Sequence, residues 1–339
     1  MFPKTKKQID ELVRKAVVTG ASYQFLTKDA IQSYTLGFKQ TEPFTAPLLP
    51  SEKNIYDIAS LTKVVATTTR LLQLVEEGKL ALEDPVSKFL PDYHTPDLTL
   101  LDLATHRSGL PKNIPGFKIE TPEDIQAYIT AARPVALNRT IVDYSDLNFI
   151  LLGQIIEVAG QKPFQSQITD AILKPLQMED TTFYQADKAH SVPTEVTEKR
   201  GVITGVVHDH KAYIAGENIG HAGLFSTLAD LSRFASALLF QEGAPILTAK
   251  SLKLIAQNYT PQLNRDRGIG YDLKRNNNHY ALYHTGFTGT FMVLDIPQQK
   301  RAHRAYQSYS SNTKQSHIFG RTRKNRRYFL KRTHPHSVE

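Results

Sequence analysis

The chain has 339 residues, 40% of them hydrophobic, with no cysteine and a formal net charge of +8. That length can bury a sizeable core as one large domain or two smaller ones, and the missing cysteine excludes disulfides and thiolate metal sites. No run of about 18 apolar residues occurs, so no membrane-spanning helix is expected. The first residues, Met1 to Gly20, lack the apolar stretch of an export signal, which points to the cytoplasm.

In chain order, Ile9, Leu12, Val13, Ala16 and Val17 recur at helical spacing and predict an amphipathic first helix. Ala21 to Thr27 and Ile31 to Phe38 read as two strands joined by a turn at Lys28-Asp29-Ala30. Pro43, Pro47 and Pro50 mark a loop. Asn54 to Ile58 leads into a long helix from Ser60 to Gly78, with Gly78 just past its end. Leu80 to Val86 and Phe89 to Pro91 read as a turn and a short helix, and Leu98 to Ala104 as another short helical unit. Thr121 caps a helix to Ala132, with Pro122 at its first position. Ser145 to Ala159 is helical, with an apolar stripe of Leu147, Ile150, Leu151, Ile155 and Val158. Phe164 to Ile172 continues the helical region.

From Val202 the pattern changes. Val202 to Val207 and Ala212 to Ile214 are short β-like runs, followed by a glycine-rich loop, Gly216 to Gly223, that holds His221. Leu228 to Phe240 and Ala249 to Gln257 are helices. Tyr280 to His284 and Thr290 to Leu294 are strands around a glycine-containing turn. The order predicts an α/β (α+β) fold: an antiparallel sheet built from residues 1–59 and 200–299, flanked by helices, with a mainly helical part inserted at 60–199. A crevice between two such parts is a usual place for a substrate.

The charge is uneven. Residues 300–339 carry eleven Lys and Arg against one acid, while residues 1–299 have a net charge of −2. The body is nearly neutral and only the tail is basic. A disordered basic tail touches RNA or anionic lipid by charge alone, so no specific nucleic-acid partner is expected.

Three stretches carry chemistry. In Ser60-Leu61-Thr62-Lys63 the hydroxyl and the amine stand three apart at a helix start, so they share one face. A serine there can attack an acyl carbon while a lysine handles its proton. The lysine can accept that proton only if its pKa is lowered by burial or by positive potential. Tyr144-Ser145-Asp146 precedes a helix, where Tyr144 can share the proton or serve as a core tyrosine beside a cap. His284-Thr285-Gly286 ends a strand. It lines the acyl group, or it is simply a hairpin with glycine at its turn. In the first reading the N–H groups of Ser60 and Phe287 face the developing oxyanion. His106 sits in a turn and reads as structural. His208, Asp209 and His221 have the residue types of a metal site but no familiar metal spacing, so supporting roles are expected for them and no metal is assigned.

These stretches, in this order, resemble the serine β-lactamases and penicillin-binding proteins, on the branch of class C β-lactamases, D-amino-acid peptidases and β-lactamase-fold carboxylesterases. The resemblance covers residues 1–299. It rests on Ile58 to Lys63, Gly78 to Val86, Leu103 to Pro111, Tyr144 to Leu147, Leu151 to Gly153, His221 to Thr227 and His284 to Gly286. It implies an acyl-enzyme on Ser60, Lys63 and Tyr144 as the acid/base pair, an oxyanion hole from Ser60 and Phe287, and no cofactor. The partner is then a small ester or amide, or a peptide-like substrate.

Two positions depart from the family pattern: Asp146 stands where Asn is usual, and His284 where Lys is common. Histidine is largely neutral at pH 7, and Asp146 adds a negative charge. Both argue against anionic substrates and favour a carboxylesterase-like activity. The alternatives are a D-alanyl-D-alanine carboxypeptidase, a weak class C-like β-lactamase, or a protein that binds such ligands without turnover. The tail also departs, because the family pattern closes with an apolar strand and a helix. Residues 300–311 can be encoded so that the DNA, read one base later, gives Ser-Ala-His-Ile-Val-Leu-Ile-Asn-Arg-Ile-His-Pro, an apolar strand with an ending that resembles this branch. A frameshift near Gln299 and Lys300 is therefore expected, with a sheet strand lost, its neighbour left as an open edge, and an unstable or inactive product as a further alternative.

Overall fold

The fold comes from a computed structural model that describes residues 2–41, 44–48, 54–93, 95, 97–134, 139–216, 219–241 and 245–296, and the backbone of 304–309. The helices are α1 (Pro3–Arg14), α2 (Thr69–Glu76), α3 (Leu100–Ala104), α4 (Pro122–Ala131), α5 (Asp146–Gly160), α6 (Phe164–Ile168), α7 (His210–Ala215), α8 (Leu228–Phe240) and α9 (Ala249–Ala256). The strands are β1 (Gly20–Leu26), β2 (Ile31–Gln40), β3 (Ala46–Pro47), β4 (Tyr56–Asp57), β5 (Thr182–Phe183), β6 (Glu195–Thr197), β7 (Gly201–Ile203), β8 (Leu224–Ser226), β9 (Asp272–Asn276), β10 (His279–Thr285), β11 (Phe291–Asp295) and β12 (Arg304–Tyr309).

Seven strands form one antiparallel sheet in the order β3-β2-β1-β12-β11-β10-β9. Every residue of β1 is buried, which requires cover on both faces. On one side Ile9 of α1 packs with Ala21, Tyr23 and Phe25. On the other, α8 lies over β1, β11 and β12. A smaller sheet, β4-β8-β5, carries the chain into Ser60. This is the mixed helix-and-antiparallel-sheet architecture that the sequence predicts.

Local chemistry explains most helix boundaries. Thr99 and Thr121 cap α3 and α4, each in a reciprocal pair with an aspartate three residues on. Ser145 caps α5. That helix is buried almost all round, because Phe149, Leu152 and Ile156 lie inside with the predicted stripe, while Val158 is 49% exposed and leaves it.

Two expectations are corrected, and two strands are added to those expected. Ala212 to Ile214 is helical, not β, because Asp209 accepts the Ala212 N–H and starts α7. β8 and β9 form on runs with no clear alternation, and pairing with neighbours decides them. The largest change is in the tail. Residues 304–309 form a central strand, paired with β1 on one side and β11 on the other, so β11 has no open edge there. A gap between β1 and β11 would leave two rows of backbone donors and acceptors unpaired. Backbone pairing fills it without an apolar sequence. Pro43, Pro50 and residues 310–339 lie outside the described residues.

Candidate active site

The site is built around the turn at Ser60. Asp57, buried at the end of β4, accepts the N–H groups of Ala59 (2.8 Å) and His208 (2.7 Å). Burial pushes its carboxyl up to about 6, against the pull of those two bonds. Ala59 is left at φ +46°, a conformation that L-residues rarely adopt. Such strain persists where neighbours hold it, often at functional sites. Residues 59–61 then form a 3₁₀ turn and residues 63–68 a π-helical turn before α2. The predicted helix is therefore present but irregular at its start. The tight first turn brings residues three apart into line, and Ser60 Oγ lies 2.8 Å from Lys63 Nζ.

Lys63 is fully buried. Its ammonium donates to Ser60 Oγ, to Asp146 Oδ1 at 2.9 Å and to the His221 carbonyl at 2.9 Å, which uses all three of its hydrogens. Gly220, just before His221, packs closely, since a Cβ there would stand 2.4 Å from the Phe149 carbonyl oxygen. Burial pulls the Lys63 ammonium down, but Asp146 and Tyr144 outweigh it and hold the group above its ordinary value. The lowered lysine that the sequence argument requires is thus absent from the resting site. Asp146 explains this: burial pushes its carboxyl up, and Lys63, His221 and Lys211 together pull it well below the usual range.

The Tyr144 ring lies 5.2 Å from Lys63 Nζ and packs tilted against His106, with the ring centres 4.4 Å apart. His106 is buried and held by Asn148 Nδ2 through Nδ1, and burial keeps its ring neutral. It sits buried directly under Tyr144.

The opposite wall is His284-Thr285-Gly286 at the end of β10. Thr288 and Thr290 donate to the carbonyls of Asp57 and Ile58, which clamps this hairpin to the Ser60 turn. A Cβ on Gly286 would lie 2.1 Å from Thr290 Oγ1 and 2.5 Å from the Ile58 carbonyl oxygen. Gly286→Ala is therefore expected to push the wall away from Ser60. A fluorophosphonate labelling rate at least about tenfold below wild type, with a modest loss of melting temperature, is the expected result. Wild-type labelling in that variant would show that the clamp is unnecessary. His284 is 4% exposed, and neither ring nitrogen has a protein partner. Burial, with Arg267 and Lys63, pushes its pKa down to about 3.

A cavity of about 840 Å³ joins these parts. Ser60, Tyr144, Asp146, Asp209, His284, Thr285, Gly286 and Phe287 all line it. Lys63 and His221 lie behind its wall. Phe287 is half exposed and stacks on His208, whose Nε2 meets Glu195. Asp209 bonds His221 Nε2 at 2.8 Å. Asp146, Asp209 and His221 bring ligand-type atoms within 4.8 Å of one another. Two ammonium groups also hold Asp146, those of Lys63 and Lys211, so these side chains form one cluster of ion pairs and hydrogen bonds.

Sequence reasoning missed Asp57, Lys211, Glu195 and the buried Arg267–Asp272 pair beside His284. Asp57 is the one that lies next to Ser60 in the sequence, three residues before it. The others act across long stretches of chain.

Among the described residues no helix is long and apolar enough to cross a membrane. The chain is 25% identical to the N-acetylmuramyl-L-alanine amidase of Bacillus subtilis (strain 168), over 86% of this chain and 78% of that protein. It is 29% identical to the "Putative D-alanyl-D-alanine carboxypeptidase" of Salmonella agona (strain SL483), over 74% of this chain but only 65% of that protein. Its fold is shared with the D-amino acid amidase of Ochrobactrum anthropi SV3, with a TM-score of 0.72 and 20% identity over 96% of this chain and 100% of that one. The description of the Beta-lactamase family fits residues 7–316, nearly the whole described chain with Ser60, Lys63, Tyr144 and His284 inside it, and the chain belongs to that family of serine hydrolases.

Proposed function

We propose that the chain hydrolyses an uncharged ester or amide through an acyl-enzyme on Ser60. The observation that carries this is the 2.8 Å contact between Ser60 Oγ, on the wall of the cavity, and Lys63 Nζ behind it, with Tyr144 beside them. Because Lys63 rests as an ammonium, the Lys63–Tyr144 pair must lose one proton before it can accept another. Ser60 then passes its proton to the pair as its Oγ bonds to the acyl carbon. The carbonyl electron pair becomes an oxyanion, which the backbone N–H groups of Ser60 and Phe287 receive. Collapse breaks the bond to the leaving group, which takes the proton. Water repeats the sequence and frees Ser60.

The substrate class follows from His284. A lysine at this position offers a permanent charge to a substrate carboxylate, while a buried neutral imidazole offers one donor and one acceptor. Asp146 adds negative charge nearby. An uncharged group therefore fits better than a β-lactam carboxylate or a peptide C-terminus. The amidase and the carboxypeptidase among the relatives favour a second reading, an amide substrate of peptide type.

Intact mass spectrometry after fluorophosphonate treatment tests the mechanism. A single adduct on wild type, absent in Ser60→Ala, is expected, and no adduct on folded wild type would refute it. Short-chain nitrophenyl esters should exceed benzylpenicillin in kcat/KM, and His284→Lys should move the ratio toward benzylpenicillin by about tenfold. The reverse order in wild type would sink the uncharged-substrate reading.

A further inference from the structure

Asp146 is bridged between two ammonium groups. Its Oδ1 meets Lys63 at 2.9 Å and its Oδ2 meets Lys211 at 3.3 Å. Lys211 comes from α7, and its side chain is only 16% exposed. Asp209 orients it by capping that helix at Ala212 while bonding His221. A lone carboxylate against Lys63 would hold its proton tightly. A second cation on the same carboxylate weakens that hold and adds its own repulsion across a few ångströms.

We propose that Lys211 is a positioning residue that sets the proton balance of the Lys63–Tyr144 pair, partly offsetting Asp146 so that the pair loses its proton at a lower pH than Asp146 alone would allow. This rests on the serine mechanism proposed above. The groups that face the cluster are few. Lys63 meets Ser60, Asp146, Tyr144 and the His221 carbonyl, with the neutral rings of His106 and His284 further off. Lys211 meets Asp146 and Asp209, with Tyr128 of α4 nearby. Asp146 also feels His221 and Asp209. Among the described residues, Lys211 is the one cation besides Lys63 that pairs directly with Asp146. The accepting group can be the amine of Lys63 or the phenolate of Tyr144, since a nearby positive charge favours proton loss from either.

The test is the acid limb of the fluorophosphonate labelling rate of Ser60, followed by intact mass on the full chain between about pH 5 and pH 10. Lys211→Met should move the limb up by about one pH unit, making labelling about tenfold slower at a given pH on that limb. Lys211→Arg keeps the charge and should restore the wild-type limb. Asp146→Asn should move the limb down, and adding Lys211→Met to it should move it back up. An unmoved limb in Lys211→Met overturns the proposal, as does a Lys211→Arg limb that follows Lys211→Met. If Lys211→Met does not fold, the comparison of Asp146→Asn with its double variant decides, and coincident limbs there overturn it. Absence of any adduct on wild type is a different result, and counts against the serine mechanism itself.

Discussion

Lys63→Met is expected to lower kcat/KM for nitrophenyl esters by at least about a thousandfold, since it removes the group that shares the Ser60 proton. It should also destabilise the fold by about 3 kcal/mol, the lower end for breaking a buried ion pair. The lower end applies because Lys211 still faces Asp146 and the Asp146 side chain is 25% exposed. Lys63→Arg separates the two effects. It keeps a charge against Asp146 but cannot give up a proton, so stability should recover more than activity. The pH dependence has a definite sign. The Asp146 carboxyl lies below its ordinary value in the folded chain, so its contribution is complete above that ordinary value and is lost as pH falls toward the folded one. Lys63→Met should flatten this acid loss of melting temperature. An unchanged acid profile would mean that the pair adds nothing to stability.

Ending the chain after residue 303 is expected to abolish cooperative unfolding. β12 joins β1 to β11 through five paired residues on each side. Without it, the large sheet splits into β3-β2-β1 and β11-β10-β9. The second fragment carries the His284 wall, so fluorophosphonate labelling should vanish as well. Retained labelling in the truncated chain would show that β12 is dispensable. The same strand bears on the reading frame. Arg304-Ala305-Tyr306-Gln307-Ser308-Tyr309 is unusually polar for a strand between two buried neighbours. We propose a frameshift near Gln299 and Lys300, supported by the Ile-Val-Leu-Ile run that one choice of codons for residues 300–311 allows in the adjacent frame. Restoring that frame should raise the melting temperature by about 5 °C, the scale of a few buried apolar side chains. Resequencing that finds no discrepancy, together with no gain in the restored protein, would refute it.

The sequence by itself determined what is local. Ser60 and Lys63 meet because three-residue spacing at a helix start leaves them little choice. Thr121, Ser145 and Asp146 mark their helices by cap chemistry, and Leu228–Phe240 by its apolar period. Tyr144 and His284 were legible as site residues only as members of ordered motifs, because nothing in their own surroundings brings them to Ser60. The tertiary structure decided the rest. It turned Ala212–Ile214 into a helix through the Asp209 cap, put Val158 outside, and placed a polar segment in the middle of the sheet, where unpaired backbone is costlier than an unsuitable side chain. It also decided the charge state of Lys63. Burial alone argues for a neutral lysine, but Asp146, 83 residues away along the chain, lies at 2.9 Å and reverses it. Opposite charges brought together by folding act over distance in space and leave no trace in residue spacing.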